Sequence, residues 1–159
     1  EPYRRQRQMC IRDSRWIKAE DTSRPVQYEQ ADGNEFTDVY CPMYADYAQM
    51  EKYAKRSGLL KPMIQCEYAH AMGNSMGGFK EYWELIRKHP HLQGGFIWDF
   101  IDQAIMVKDS VTGKDVLRYG GDFDDKPADY EFSANGIVFA DRKEKPAMQE
   151  VRYYYGLYR

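Results

Sequence analysis

The chain has 159 residues, of which 43% are hydrophobic and 30% charged, with a formal net charge of -2. That is a globular balance, and it excludes extended disorder, a basic field for nucleic acid and a repelling acidic tail. The length suits one domain, or part of a larger one.

Residues 1–14 are rich in Arg and Gln and hold no apolar stretch, so they do not read as a secretory signal. Residues 25–28 (Pro-Val-Gln-Tyr) form a first short strand candidate, and residues 38–43 (Asp-Val-Tyr-Cys-Pro-Met) a second. A helix follows: Asp46 can cap it, Tyr47, Met50 and Ala54 fall on one face, and Gly58 stops it. A third strand, residues 61–66, runs into Glu67 and a Gly-containing turn at 72–75. The next helix carries Phe79, Tyr82, Trp83 and Ile86 at helical spacing and ends before Pro90. Residues 92–101 contain a fourth strand at 95–98. Beyond Asp102 the alternation gives way to a loop at 109–114, an Asp-rich turn at 119–125, the segment 135–139 and a closing helix over 146–155.

Strands alternating with helices predict an α/β fold of parallel βαβ units with right-handed crossovers. A full eight-stranded barrel takes roughly 250 residues. The chain therefore reads as a smaller α/β fold or as a slice of a barrel. No apolar run approaches the roughly 20 residues of a membrane span. Cys10, Cys41 and Cys66 form no CxxC pair, so no disulfide framework or zinc site is expected, and a reducing, cytoplasmic setting fits.

Glu67 is the residue to examine first. A carboxylate at the C-terminal end of an apolar strand is costly unless it is paired or used, and that end of an α/β sheet is where chemistry sits. Tyr68, His70 and Asn74 follow within one turn and could orient it as a nucleophile or base. A strand-end ion pair is an equally good reading from spacing alone. Asp99, Asp102, Asp122 and Glu35 all remain open as a second carboxylate. His89 and His91 read as solvated helix-end residues. Trp98 reads first as core and second as a stacking platform. The cluster at 122–125 lacks the ligand spacing of a calcium loop.

Read together, several segments are specific. Residues 66–75 (Cys-Glu-Tyr-Ala-His-Ala-Met-Gly-Asn-Ser) resemble the nucleophile signature of glycoside hydrolase family 2 β-galactosidases. Residues 94–103, 119–123 and 135–142 resemble the next blocks of the same family, and 15–18, 23–29 and 41–44 resemble upstream ones, in the same order. The resemblance spans residues 15–159 and implies a (β/α)8 TIM barrel, with the four strands here the fifth to eighth. The chain would then be the C-terminal half of that barrel, with 1–14 as an unmatched, unrelated or artefactual leader.

The resemblance also assigns roles. Glu67 takes the nucleophile position of a retaining enzyme acting on terminal β-D-galactose residues, such as those of lactose-like β-galactosides. Tyr44 resembles the tyrosine bonded to that nucleophile. His70 resembles a histidine that binds galactosyl hydroxyls, and Trp98 the wall under the sugar. Asn135 and Met72 fall at substrate-binding positions. Phe132, through its carbonyl, and Asn135 resemble sodium ligands. The acid/base Glu of an Asn-Glu-Ser-type motif is not in this chain, nor are the magnesium ligands expected of the parent enzyme or the sodium-ligating Asp. Tyr130 stands where relatives usually carry a basic residue. The missing barrel half would be a partner, within a homo-oligomeric parent. A family 2 enzyme of other glycone specificity and a non-catalytic, complementing fragment are the rival readings.

Overall fold

The computed structural model describes residues 2–58 and 60–157. They fall into two compact units, one of Glu1–Tyr68 with Glu81–Phe96, the other of Ala69–Lys80 with Ile97–Arg159.

The first unit opens with helix α1 (Pro2–Glu20). Its residues are mostly good helix formers, with Pro2 at the first position, where a missing N–H is harmless. The sequence showed no helix here because α1 carries no apolar stripe: Trp16 and Met9 stay exposed. The helix runs unbroken through Ser14 and Arg15.

Three extended segments then line up in chain order. Parallel bridges pair Gln27 with Val39, Tyr40 with Met63 and Met43 with Glu67. Tyr40 works on both sides of one neighbour: its N–H donates to Pro62 (3.0 Å) and its carbonyl accepts from Ile64 (2.9 Å). Strand β1 (Met63–Tyr68) is hydrogen-bonded in turn to β2 (Leu92–Ile97). The predicted strands at 25–28 and 38–43 survive only as single bridges. Pro25 and Pro42 lack the N–H a continuous ladder needs, although the Pro42 carbonyl still accepts from Cys66 at 3.0 Å.

Helix α2 (Tyr47–Ala54) sits where expected, behind a reciprocal cap: Asp46 accepts from the Gln49 N–H at 2.7 Å, and the Gln49 side chain accepts from the Asp46 N–H at 2.9 Å. It ends at Ala54, short of Gly58. Met50 and Tyr53 face a core with Ala45, Met63 and Leu92, against which Tyr82, Leu85 and Ile86 of α3 (Phe79–Lys88) pack. His89, expected to be solvated, instead buries its Nε2 at the end of that helix.

The burial rhythm of β1 positions the site. Met63 and Gln65 are buried and alternate as a strand should, but the next buried residue is Tyr68, three positions on instead of two. Tyr68 packs edge-on to Tyr82, with ring centroids 5.4 Å apart, and its hydroxyl accepts from the Trp83 indole at 3.2 Å. Glu67 thereby loses the phase of Met63 and Gln65 and leaves the side that packs on the helices. Gly95 of β2 makes room for this: a Cβ there would meet the Tyr68 ring at 2.8 Å and the Gln65 Cβ at 3.2 Å.

In the second unit, residues 99–102 and 135–138 zip together. Asp99 N–H donates to the Asn135 carbonyl (2.7 Å), Ile137 to Asp99 (2.9 Å), Val138 to Phe100 (3.1 Å) and Asp102 to Val138 (3.1 Å). A tight turn brings Lys145 back onto Ile137 at 3.1 Å, and α4 (Ala147–Gly156) closes the chain much as expected. Phe79 packs on its Tyr154 and Tyr155, with ring centroids 5.9 and 5.7 Å away. The loop expected at 109–114 is the tip of an antiparallel hairpin of β3 (Ile105–Lys108) and β4 (Asp115–Arg118). Those strands are four residues each and largely exposed, too short to show a period-2 pattern.

Candidate active site

Glu67 lies one residue from the C-terminal end of β1, half-buried. The bridge from Met43 brings Tyr44 alongside, and the Tyr44 N–H donates to the Glu67 carbonyl at 2.8 Å. Tyr44 adopts a positive φ of 50°, uncommon for a residue with a Cβ. Desolvation first, then the neighbouring Glu67 carboxylate, hold the Tyr44 hydroxyl well above the usual tyrosine range. Tyr44 is therefore a protonated neighbour docked on the backbone of Glu67.

The other expected site residues belong to the second unit. Residues 70–75 form a turn tied by the Ser75 hydroxyl, which donates to the carbonyls of His70 and Met72. Met72 is half-buried, and the Ala71 N–H donates to the Trp98 carbonyl at 2.9 Å. The His70 ring lies 6.0 Å from that of Phe132, centroid to centroid. Trp98 directly follows β2, is 38% exposed and precedes a cis peptide bond to Asp99. That exposure goes against the reading of Trp98 as core.

Asn135 is 2% exposed, and its Nδ2 donates to the Phe132 carbonyl at 2.6 Å. Its Oδ1 is buried with no hydrogen-bond partner among the described residues. An orphaned buried acceptor is costly unless something outside the chain satisfies it. With the amide turned over, Oδ1 would face the Phe132 carbonyl, and two neutral oxygens are donors suited to a hard cation.

The open list of second carboxylates shortens. Asp102 is engaged by Lys145 (2.7 Å) and the Gly136 N–H (2.8 Å). Asp99 accepts from its neighbour Phe100 and from Gln103, and Asp122 from the Tyr119 N–H. Glu35 lies exposed in the first unit. Lys145 was not legible from the sequence: its partner is 43 residues away, and no local spacing marks the pair.

With this geometry in view, the chain's likeness to known proteins can be placed. The family model "Glycosyl hydrolases family 2, TIM barrel domain" matches residues 2–159. The chain belongs to that family. The β-galactosidase large subunit of Latilactobacillus sakei is 55% identical over 146 residues, covering 89% of this chain and 23% of the relative. That of Lactobacillus helveticus is 51% identical over 149 residues, covering 91% and 24%. The β-galactosidase of Oenococcus oeni is 48% identical over 155 residues, covering 90% and 15%. The chain thus spans under a quarter of the length of these relatives. The crystal structure of Ruminococcus gnavus β-glucuronidase superposes with a TM-score of 0.42 at 13% identity, covering 80% of this chain and 25% of that one, too loosely to carry an argument.

Membership explains the shape of the first unit. A TIM-barrel segment must lay its strands side by side in chain order with helices between them, as residues 27, 39–43 and β1 do.

Proposed function

We propose that this chain is the fifth-to-eighth-strand half of the catalytic barrel of a retaining β-galactosidase, with Glu67 as its nucleophile. The observation that carries the reading is Glu67 at a strand's C-terminal end, inside the motif at 66–75, with Tyr44 docked beside it through an N–H that donates to the Glu67 carbonyl at 2.8 Å. The relatives named above as β-galactosidases support the glycone.

In this mechanism a Glu67 oxygen attacks the anomeric carbon as the bond to the aglycone oxygen breaks. An acid/base carboxylate outside this chain protonates that oxygen, and then takes a proton from the water that frees the sugar. Tyr44, protonated beside Glu67, would steady the carboxylate for attack. By their likeness to the family's motifs, His70 and Met72 would contact the sugar, and Trp98 would offer its face to the C–H surface of galactose. By the family likeness, a sodium ion held by Asn135 Oδ1 and the Phe132 carbonyl would bind the 6-hydroxyl of the galactose. Magnesium, where the parent uses it, draws its ligands from outside this chain. The relatives' designation as large subunits supports a parent assembled with at least one further subunit.

Glu67→Gln in the full-length protein keeps the shape of the side chain and removes the nucleophile. Turnover of nitrophenyl β-galactoside should fall by about 10⁴-fold or more with the melting temperature unchanged; near-normal turnover would sink the assignment. A panel of nitrophenyl galactoside, fucoside and glucuronide separates this glycone from the family's others. Exchanging NaCl for KCl at fixed ionic strength should raise KM for the galactoside, and Asn135→Ala should abolish the difference between the salts. Identical kinetics in both salts would remove the ion.

A further inference from the structure

We propose that the Asp102–Lys145 ion pair positions Asn135, and so sets how strongly the site favours a galactoside over its 6-deoxy counterpart. The inference rests on the β-galactosidase reading, with Asn135 on the side of the sugar's 6-hydroxyl.

The pair holds both peptide groups that flank Asn135. Asp102 Oδ1 accepts from the Gly136 N–H at 2.8 Å and from Lys145 Nζ at 2.7 Å. The same Nζ donates to the Ala134 carbonyl at 3.4 Å and lies 5.2 Å from the centroid of the Phe139 ring. The two charged side chains are only 10% and 14% exposed, so solvent screens the pair weakly. Gly136 is pressed onto the opposite strand: a Cβ there would come within 2.2 Å of the Asp102 nitrogen. Asn135 itself is left with one job undone, because its buried Oδ1 has no partner among the described residues.

Beside the pair lies a cavity of about 450 Å³, lined among others by Ala134, Gly136, Asn74 and Met76. Once the pair is broken, residues 134–136 have room to shift. A small displacement of an amide that must meet a hydroxyl or an ion loses that contact, while the rest of the sugar is gripped elsewhere. The loss is then specific to the 6-hydroxyl. A pair that merely stabilised the fold would weaken all substrates alike.

The test measures kcat/KM of the full-length protein on nitrophenyl β-D-galactoside and nitrophenyl β-D-fucoside, which lacks only the 6-hydroxyl. Asp102→Asn keeps an acceptor for Gly136 and removes the charge. Lys145→Arg keeps the charge, changes the geometry, and decides the matter if the first variant does not fold. The galactoside should lose about tenfold and the fucoside less than about twofold, so that the preference between them collapses. Equal losses on both substrates, or an unchanged ratio beside a lowered melting temperature, would overturn the proposal and leave the pair as scaffolding. A wild-type protein that cleaves neither substrate would instead overturn the galactosidase reading, and the inference with it.

Discussion

At the scale of single residues, the site depends on what Tyr44 does to Glu67. The tyrosine's proton is held more tightly in the folded chain than in the unfolded one, because its hydroxyl is desolvated and lies beside a carboxylate. The sign follows from linkage: this group's contribution to stability is complete below the ordinary tyrosine value of 10.0 and is lost as pH rises toward the higher folded value. Tyr44 therefore stays a donor throughout the neutral range. Tyr44→Phe should lower kcat by roughly ten- to a hundredfold, the worth of one hydrogen bond to a charged group, and should leave the alkaline limb of the pH–rate profile where it was. An alkaline limb that moves with the substitution would show that Tyr44 titrates in the working range. Glu67, Tyr44, His70 and Trp98 could be named before any geometry, because their motifs are contiguous stretches with a family likeness. Lys145 could not, because a buried pair made across 43 residues leaves no local trace. The partners of Glu35, Asp99, Asp102 and Asp122 also waited on the fold, since four acidic side chains in loops look alike until their partners are known.

At the scale of elements, helices and strands were legible to different degrees. α2 announced itself by Asp46 and an apolar face of Tyr47, Met50 and Ala54, and α3 by Phe79, Tyr82 and Ile86 at helical spacing. The hairpin of β3 and β4 did not, because Ile105, Met106 and Leu117 are exposed on strands that bury almost nothing. Least legible was the slip in β1, since the sequence Met-Ile-Gln-Cys-Glu-Tyr suits an unbroken alternation that would turn Glu67 toward the helices. Tyr68 prevents it by taking the helix-facing place over Gly95. Gly95→Ala tests this. Its methyl group would overlap the Tyr68 ring, costing about 1–3 kcal/mol as overpacking. Relief by moving Tyr68 would drag Glu67 with it. The full-length variant should lose both melting temperature and kcat, with KM changed less, and a return to wild-type stability on adding Tyr68→Phe is not expected, because the ring rather than the hydroxyl makes the clash. A variant that melts earlier with kcat intact would show that the strand end does not depend on this packing.

At the scale of the whole molecule, the first unit presents a sheet with two open edges. Among the described residues, the segment at 25–28 is bridged only toward residues 38–39, and β2 is paired only with β1. In a closed barrel every strand has two neighbours, and unpaired edges invite association. Large apolar side chains of this unit stand open as well: Phe96 is 66% exposed, Met43 46% and Tyr44 40%. Covering such a side chain is worth roughly 1.5–3 kcal/mol, against a net stability of about 5–15 kcal/mol for an ordinary domain. Leaving these three uncovered consumes much of that margin. The isolated 159-residue chain should therefore melt broadly, bind a hydrophobic dye and associate, and it should not hydrolyse nitrophenyl galactoside, because Glu67 has no proton donor across the bond. Adding the preceding half of the barrel as a separate polypeptide should sharpen the melt, reduce dye binding and bring activity at once, since the edges, the apolar faces and the acid/base carboxylate all arrive together. A monodisperse monomer with a sharp cooperative melt would show that these edges need no neighbours. Galactoside hydrolysis by the chain alone would show that it already carries its own acid, and would reopen the choice among Asp99, Asp102 and Asp122.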